Sequence, residues 1–76
     1  MAKLPTDLSG REVRAALERA GFVFRRQKSS HMILRRDNPY ARVTVPDHKQ
    51  VRIGTLRRIM AEAGLSLEEL LHLLGR

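Results

Sequence analysis

Apolar residues recur at Val13, Ala16, Leu17 and Ala20, the i, i+3, i+4, i+7 spacing of one helix face. Ahead of them Ser9-Gly10-Arg11-Glu12 has the S-x-x-E form of a capping box, and Gly21 behind them supplies a stop. The period then changes. Phe22 to Gln27 and His31 to Arg36 are β-prone runs, and the Lys28-Ser29-Ser30 between them has the length of a short hairpin turn. After the turn chemistry of Asp37-Asn38-Pro39-Tyr40, Ala41 to Pro46 alternates Arg42 and Thr44 with Val43 and Val45, so this strand has one polar and one apolar face. Asp47 to Arg52 reads as a loop. Helical spacing returns at Leu56, Ile59, Met60 and Ala63, with Gly64 as the stop, and Ser66-Leu67-Glu68-Glu69 forms a second capping box before a short terminal helix.

These elements predict an α+β domain of order α-β-β-β-α with a terminal helix added: a three-stranded antiparallel meander with helices on one face and the other face open. The chain reads as a single domain over residues 1–76, with 1–7 expected to be flexible. If Val43 and Val45 point to the helices, cross-strand pairing sends Met32 and Leu34 there too, and His31, Ile33, Arg35, Arg42 and Thr44 point outward. The stripe of Leu67, Leu70, Leu71 and Leu74 either continues the core or offers a partner surface, and the scarcity of other residues to cover the sheet favours the core.

Charge narrows the possibilities. The 76 residues carry a formal net charge of +7, and residues 11 to 58 hold thirteen Lys or Arg against four acids while 59 to 76 hold one Arg against three Glu. A basic field of this density favours nucleic acid or another polyanion, through phosphate contacts that weaken with salt. A solvated, solubilising surface is the plainer alternative. The absence of cysteine excludes a disulfide framework and a Cys-based metal site. No apolar run approaches the roughly 20 residues of a membrane span, and the first residues lack a signal-peptide core, so the expected location is cytoplasmic.

The candidate chemistry sits in Arg25-Arg26-Gln27-Lys28-Ser29-Ser30-His31, where one histidine follows a polar turn among cations. Histidine is the side chain whose unperturbed titration lies near neutral pH, and guanidinium and ammonium groups hold anions. The segment reads as a phosphate-handling site: His31 as proton carrier, Arg25, Arg26 and Lys28 as phosphate ligands, Ser30 orienting His31 or itself bonding a phosphate oxygen, and outward Arg35 and Arg42 as further phosphate contacts. A complete acid–base pair would want a second group, and His48 is the only other histidine outside the terminal helix; the preferred reading is a loop histidine that caps or contacts solvent. His72 reads as solvent-facing or fringing the core. Arg57-Arg58 reads as a solvated helix face, with a clamp on the RNA backbone as the alternative, and Tyr40 as turn packing, with stacking on a base as the alternative. Three scattered histidines lack zinc-ligand spacing, and no cofactor or metal is expected.

From Glu12 to Leu74 the sequence resembles the HicA family of small RNA-cleaving toxins. The likeness rests on Ala20-Gly21-Phe22, Arg26-Gln27-Lys28-Ser29-Ser30-His31, Val43-Thr44-Val45-Pro46-Asp47-His48, and Gly54-Thr55-Leu56-Arg57 leading to Ala63-Gly64-Leu65-Ser66, in that order. The resemblance implies a double-stranded-RNA-binding-domain-like fold, endoribonuclease (mRNA interferase) activity and a HicB antitoxin as partner. It places the family's cleavage histidine, which closes a Gly-Ser-His motif, on His31. Ser29 stands where that motif usually has glycine, a substitution that is comfortable only at negative φ. A second histidine often follows the first in the family, and here that position is Met32. RNA supplies its own nucleophile, the 2′-hydroxyl, so His31 acting as general acid or base beside cations suffices for a metal-independent enzyme. The alternative is a non-catalytic RNA-binding domain of the same fold.

Overall fold

The first helix, α1 (Gly10–Arg19), starts where the capping box places it: the Ser9 hydroxyl accepts from the Glu12 N–H at 3.1 Å and the Glu12 carboxylate accepts from the Ser9 N–H at 3.0 Å. Both N-terminal donors are thereby satisfied by local chemistry. In the computed structural model, which describes residues 3–76, three strands follow: β1 (Val23–Lys28), β2 (His31–Asp37) and β3 (Tyr40–Pro46). They form one antiparallel sheet in the order β1-β2-β3. Two helices complete the chain, α2 (Ile53–Ala63) and α3 (Leu67–Leu73). Ser66 and Glu69 reproduce the reciprocal capping bonds ahead of α3, while α2 is preceded by Arg52, which makes no side-chain capping bond, and followed by Gly64 with φ 70°. No helix among the described residues is long and apolar enough to cross a membrane.

The expected α-β-β-β-α architecture is the observed one, and so is the register of the hairpin between β2 and β3. Met32 pairs with Val45 and Leu34 with Val43, all four buried, while Ile33 pairs with Thr44 and Arg35 with Arg42. The buried set joins Val13, Ala16 and Leu17 of α1, Leu56, Ile59 and Ala63 of α2, and Leu70 of α3 in one core. Burying a side chain of this size stabilises by about 1.5–3 kcal/mol, and each helix contributes at least one. Only part of the α3 stripe takes part: Leu70 is buried and Leu74 packs on the core together with Leu73, whereas Leu67 and Leu71 are half-exposed.

Pairing of β1 with β2 contains a bulge. Phe24 opposes Leu34 and Arg26 opposes Ile33, so Arg25 is the extra residue. Because side chains alternate along a strand, one inserted residue reverses the facing of everything beyond it. Val23 lies on the open face, and beyond the bulge Arg26 and Lys28 lie there too, with Gln27 opposite the buried Met32.

Of the segment expected to be flexible, Met1 and Ala2 lie outside the described residues. In the rest of it Leu4 packs on the core, Pro5 is buried, and Asp7 accepts two bonds from the Arg76 guanidinium at 3.0 and 3.2 Å.

Candidate nucleic-acid interface and catalytic cavity

The open face of the sheet is built from three cross-strand rows, Val23–Arg35–Arg42, Arg26–Ile33–Thr44 and Lys28–His31–Pro46. Arginines dominate one end and the histidine occupies the other. At the arginine end Arg25, Arg26, Arg35, Arg42, Ile33 and Tyr40 enclose a shallow concavity of about 350 Å³. Four of the six phosphate contacts expected from the sequence therefore converge. Arg35 is partly neutralised by Asp37, 2.9 Å away, whereas Arg25, Arg26 and Arg42 form no ion pair among the described residues. Tyr40 corrects an expectation: it does not pack into its turn but stands 67 % exposed among the arginines. An exposed aromatic beside cations has the makings of a base-stacking platform.

His31 is separated from that concavity by the Ile33 row. It is exposed and begins β2 directly after the two-residue turn Ser29-Ser30. Lys28 is its cross-strand neighbour on the same face, brought there by the bulge at Arg25. Ser29 has φ 57°, in the left-handed region, while Ser30 does not share a positive φ. A positive φ at the first central residue alone is the pattern of a type II′ hairpin turn, a position that favours glycine. The negative φ that would suit a serine there is not adopted. Ser30 is half-buried, and its carbonyl accepts from the Asp47 N–H at 2.6 Å.

A second cavity, of about 310 Å³, lies at this end of the sheet, where the hairpin turn, the end of β3, the 47–52 loop and the first turns of α2 meet. His31 lines it, and so do His48, Arg52, Thr55 and Arg58. Of the cations expected beside His31, Lys28 is its neighbour across the hairpin, whereas Arg25 and Arg26 lie outside this cavity and the guanidinium groups that share it are those of Arg52 and Arg58. Arg58 is held in place by Glu62 at 2.8 Å and by the Thr44 carbonyl at 3.1 Å. It is exposed, as expected of a solvated helix face, and these bonds also turn it toward the cavity. His48 is solvent-exposed as expected, but it faces the same space as His31.

Contacts distant in sequence place that loop. Asp47 receives hydrogen bonds from Arg11 at 3.3 Å and Gln27 at 3.2 Å. The Arg11 bond, supported by that from Gln27, outweighs desolvation and holds the Asp47 carboxyl below the usual aspartate range. The Gly10 N–H donates to the His48 carbonyl at 2.8 Å and the Val51 N–H to the Leu8 carbonyl at 2.7 Å. A Cβ at position 10 would fall on the Pro46 carbonyl oxygen, so only glycine lets α1 approach the loop this closely. A signal for His48 exists in the sequence: it lies two residues past Pro46, and His31 pairs with Pro46 across the sheet. That signal becomes readable once the register is known. Among the described residues no three His, Cys, Asp or Glu side chains cluster as a metal site.

The family model for the HicA toxin of bacterial toxin-antitoxin systems matches residues 10–65. This span runs from the start of α1 to just past α2 and includes every residue of both cavities. A comparison with curated proteins finds no match. A small α+β domain with a basic open sheet face is thus a toxin of a toxin–antitoxin pair. The chain belongs to the HicA toxin family, and membership implies an antitoxin as its partner.

Proposed function

We propose that this toxin is a metal-independent endoribonuclease that cleaves mRNA in the cytoplasm, with His31 as the proton-transfer residue and a HicB-type antitoxin that covers the basic face. The observation that carries the reading is the placement of His31: exposed, at the end of a face lined with arginines, and inside a cavity bordered by further cations.

RNA brings its own nucleophile. Attack of the 2′-hydroxyl on the adjacent phosphorus needs a proton removed, a proton delivered, and relief of the negative charge that builds on the non-bridging oxygens. His31 supplies proton transfer, as base or as acid. Lys28, beside it on the same face, is placed to stabilise the charge. Arg26 is one row further along, and Arg25, Arg35 and Arg42 lie where the flanking phosphates of a bound strand would pass. Ser30 acts through its backbone, fixing the turn against Asp47. Acid–base assistance from one side chain contributes about 10²- to 10⁴-fold, enough for a slow enzyme acting on a limited pool of messenger.

The test is cleavage of a fluorescent single-stranded RNA in EDTA by wild type and His31→Ala, with binding measured in parallel. Loss of cutting with binding retained supports the reading. If neither protein cuts and both bind equally, the chain is an RNA-binding domain without catalysis.

A further inference from the structure

Opening an RNA chain by its 2′-hydroxyl forms the O2′–P bond, breaks the P–O5′ bond, and moves two protons at two places: one leaves O2′, another arrives on O5′. The two oxygens lie on opposite sides of phosphorus, so a single imidazole cannot serve both in one step. The geometry points to His48 as the second proton-transfer residue, facing His31 across the scissile phosphate and taking whichever of the two roles His31 does not. This rests on the reading of the chain as a ribonuclease.

Both histidines line the same cavity, one from the start of β2 and one from the loop after β3. Its volume of about 310 Å³ is some ten times a water molecule's share of the liquid, about 30 Å³, which leaves room for a phosphodiester. The backbone around His48 is tied on both sides and at its own carbonyl, through Asp47 to Ser30, His48 to Gly10 and Val51 to Leu8. Its imidazole has no hydrogen-bond partner among the described residues and is exposed to the cavity. The fold fixes the backbone that carries this side chain and leaves the imidazole unpartnered, an arrangement suited to a group that must exchange protons. The charged and titratable groups around it are His31 from β2, Arg58 from α2, and Asp47 and Arg52 on its own loop. The two arginines border the cavity where a phosphate's non-bridging oxygens would lie, so the pair need only transfer protons.

The balance is closed: one histidine, initially neutral, takes the 2′-hydroxyl proton, and the other, initially protonated, gives its proton to O5′, leaving a 2′,3′-cyclic phosphate and a 5′-hydroxyl. The test compares wild type, His31→Ala, His48→Ala and His48→Gln on an RNA that carries, at the bond wild type cuts, either the ordinary 5′-oxygen or a bridging 5′-sulfur, which departs without a proton. On ordinary RNA each alanine variant is expected to lose about 10²- to 10⁴-fold in kcat and one limb of the pH–rate profile, with His48→Gln no better than His48→Ala. The sulfur substrate restores one of the two alanine variants and not the other. His48→Ala cutting within about threefold of wild type, far short of the usual loss for an acid–base residue, overturns the assignment. So does a loss equal on both substrates with an unchanged pH profile, or rescue by glutamine, since each marks a positioning role. If wild type cuts neither RNA, the ribonuclease reading itself fails.

Discussion

The Asp47 N–H donates to the Ser30 carbonyl at 2.6 Å, joining the loop that carries His48 to the turn that delivers His31. The Asp47 carboxylate extends the joint to Arg11 in α1 and Gln27 in β1, so one side chain links three segments around the cavity.

Acid titration should expose this joint. The Arg11 hydrogen bond holds the folded-state pKa of Asp47 below its unfolded value. At pH values below the ordinary aspartate range the unfolded chain therefore binds more protons than the folded one. The stabilisation is present above that range and is lost as pH falls through the folded-state pKa. Asp7, lowered by its hydrogen bond with Arg76, and Glu69, lowered by the Ser66 backbone N–H, act in the same direction. Asp47→Asn should therefore flatten the acid limb of a Tm-against-pH curve without abolishing it. An unchanged slope would mean that the joint carries no ionic stabilisation.

Ser29→Gly should stabilise the protein. A non-glycine residue in the left-handed region costs about 1–2 kcal/mol, and the extra freedom of glycine in the unfolded chain returns about 0.4–1. The net gain is about 0.5–1 kcal/mol, a rise in Tm of a few degrees for a domain of this size. Calorimetry checks it, and a lower Tm would show that Ser29 contributes a favourable interaction of its own.

Gly10→Ala should do the reverse. The added methyl meets the Pro46 carbonyl, which is backbone and cannot rotate away. Overpacking of this kind costs about 1–3 kcal/mol. Because α1 and the loop must separate, RNA cleavage should fall further than the loss of folded protein explains, measured at a temperature where the variant remains folded.

Much of the fold was legible because its signals are local. Ser9 with Glu12 and Ser66 with Glu69 act within one turn of helix, and the alternation of Val43 and Val45 with Arg42 and Thr44 fixes the register of β3 against β2. The cavity was legible only in part. His31 stands out beside its turn, but His48, Arg52 and Arg58 reach it through bonds between Gly10 and His48, Asp47 and Ser30, and Arg58 and Thr44, which no sequence period encodes. The bulge at Arg25 is likewise a pairing event: without it, alternation would place Lys28 on the helix side of the sheet, away from His31.

Salt dependence should separate the arginine concavity from the histidine cavity. Each phosphate contact on a single strand contributes about 0.7 to the slope of log K against log salt. Arg26→Ala with Arg42→Ala should lower that slope by about 1.4 on the same basis, whereas Arg35→Ala, already bridged to Asp37, should lower it less. Titration of labelled RNA at several salt concentrations measures this. Equal slopes for wild type and the double variant would place the RNA elsewhere.

The most direct measurement is the chemistry of the RNA ends left by the purified toxin in EDTA, for wild type and His31→Ala. Wild type is expected to leave 2′,3′-cyclic phosphate and 5′-hydroxyl ends, which disappear with His31→Ala while RNA binding persists. Ends bearing a 5′-phosphate and a 3′-hydroxyl, or undiminished cutting by His31→Ala, would contradict this mechanism.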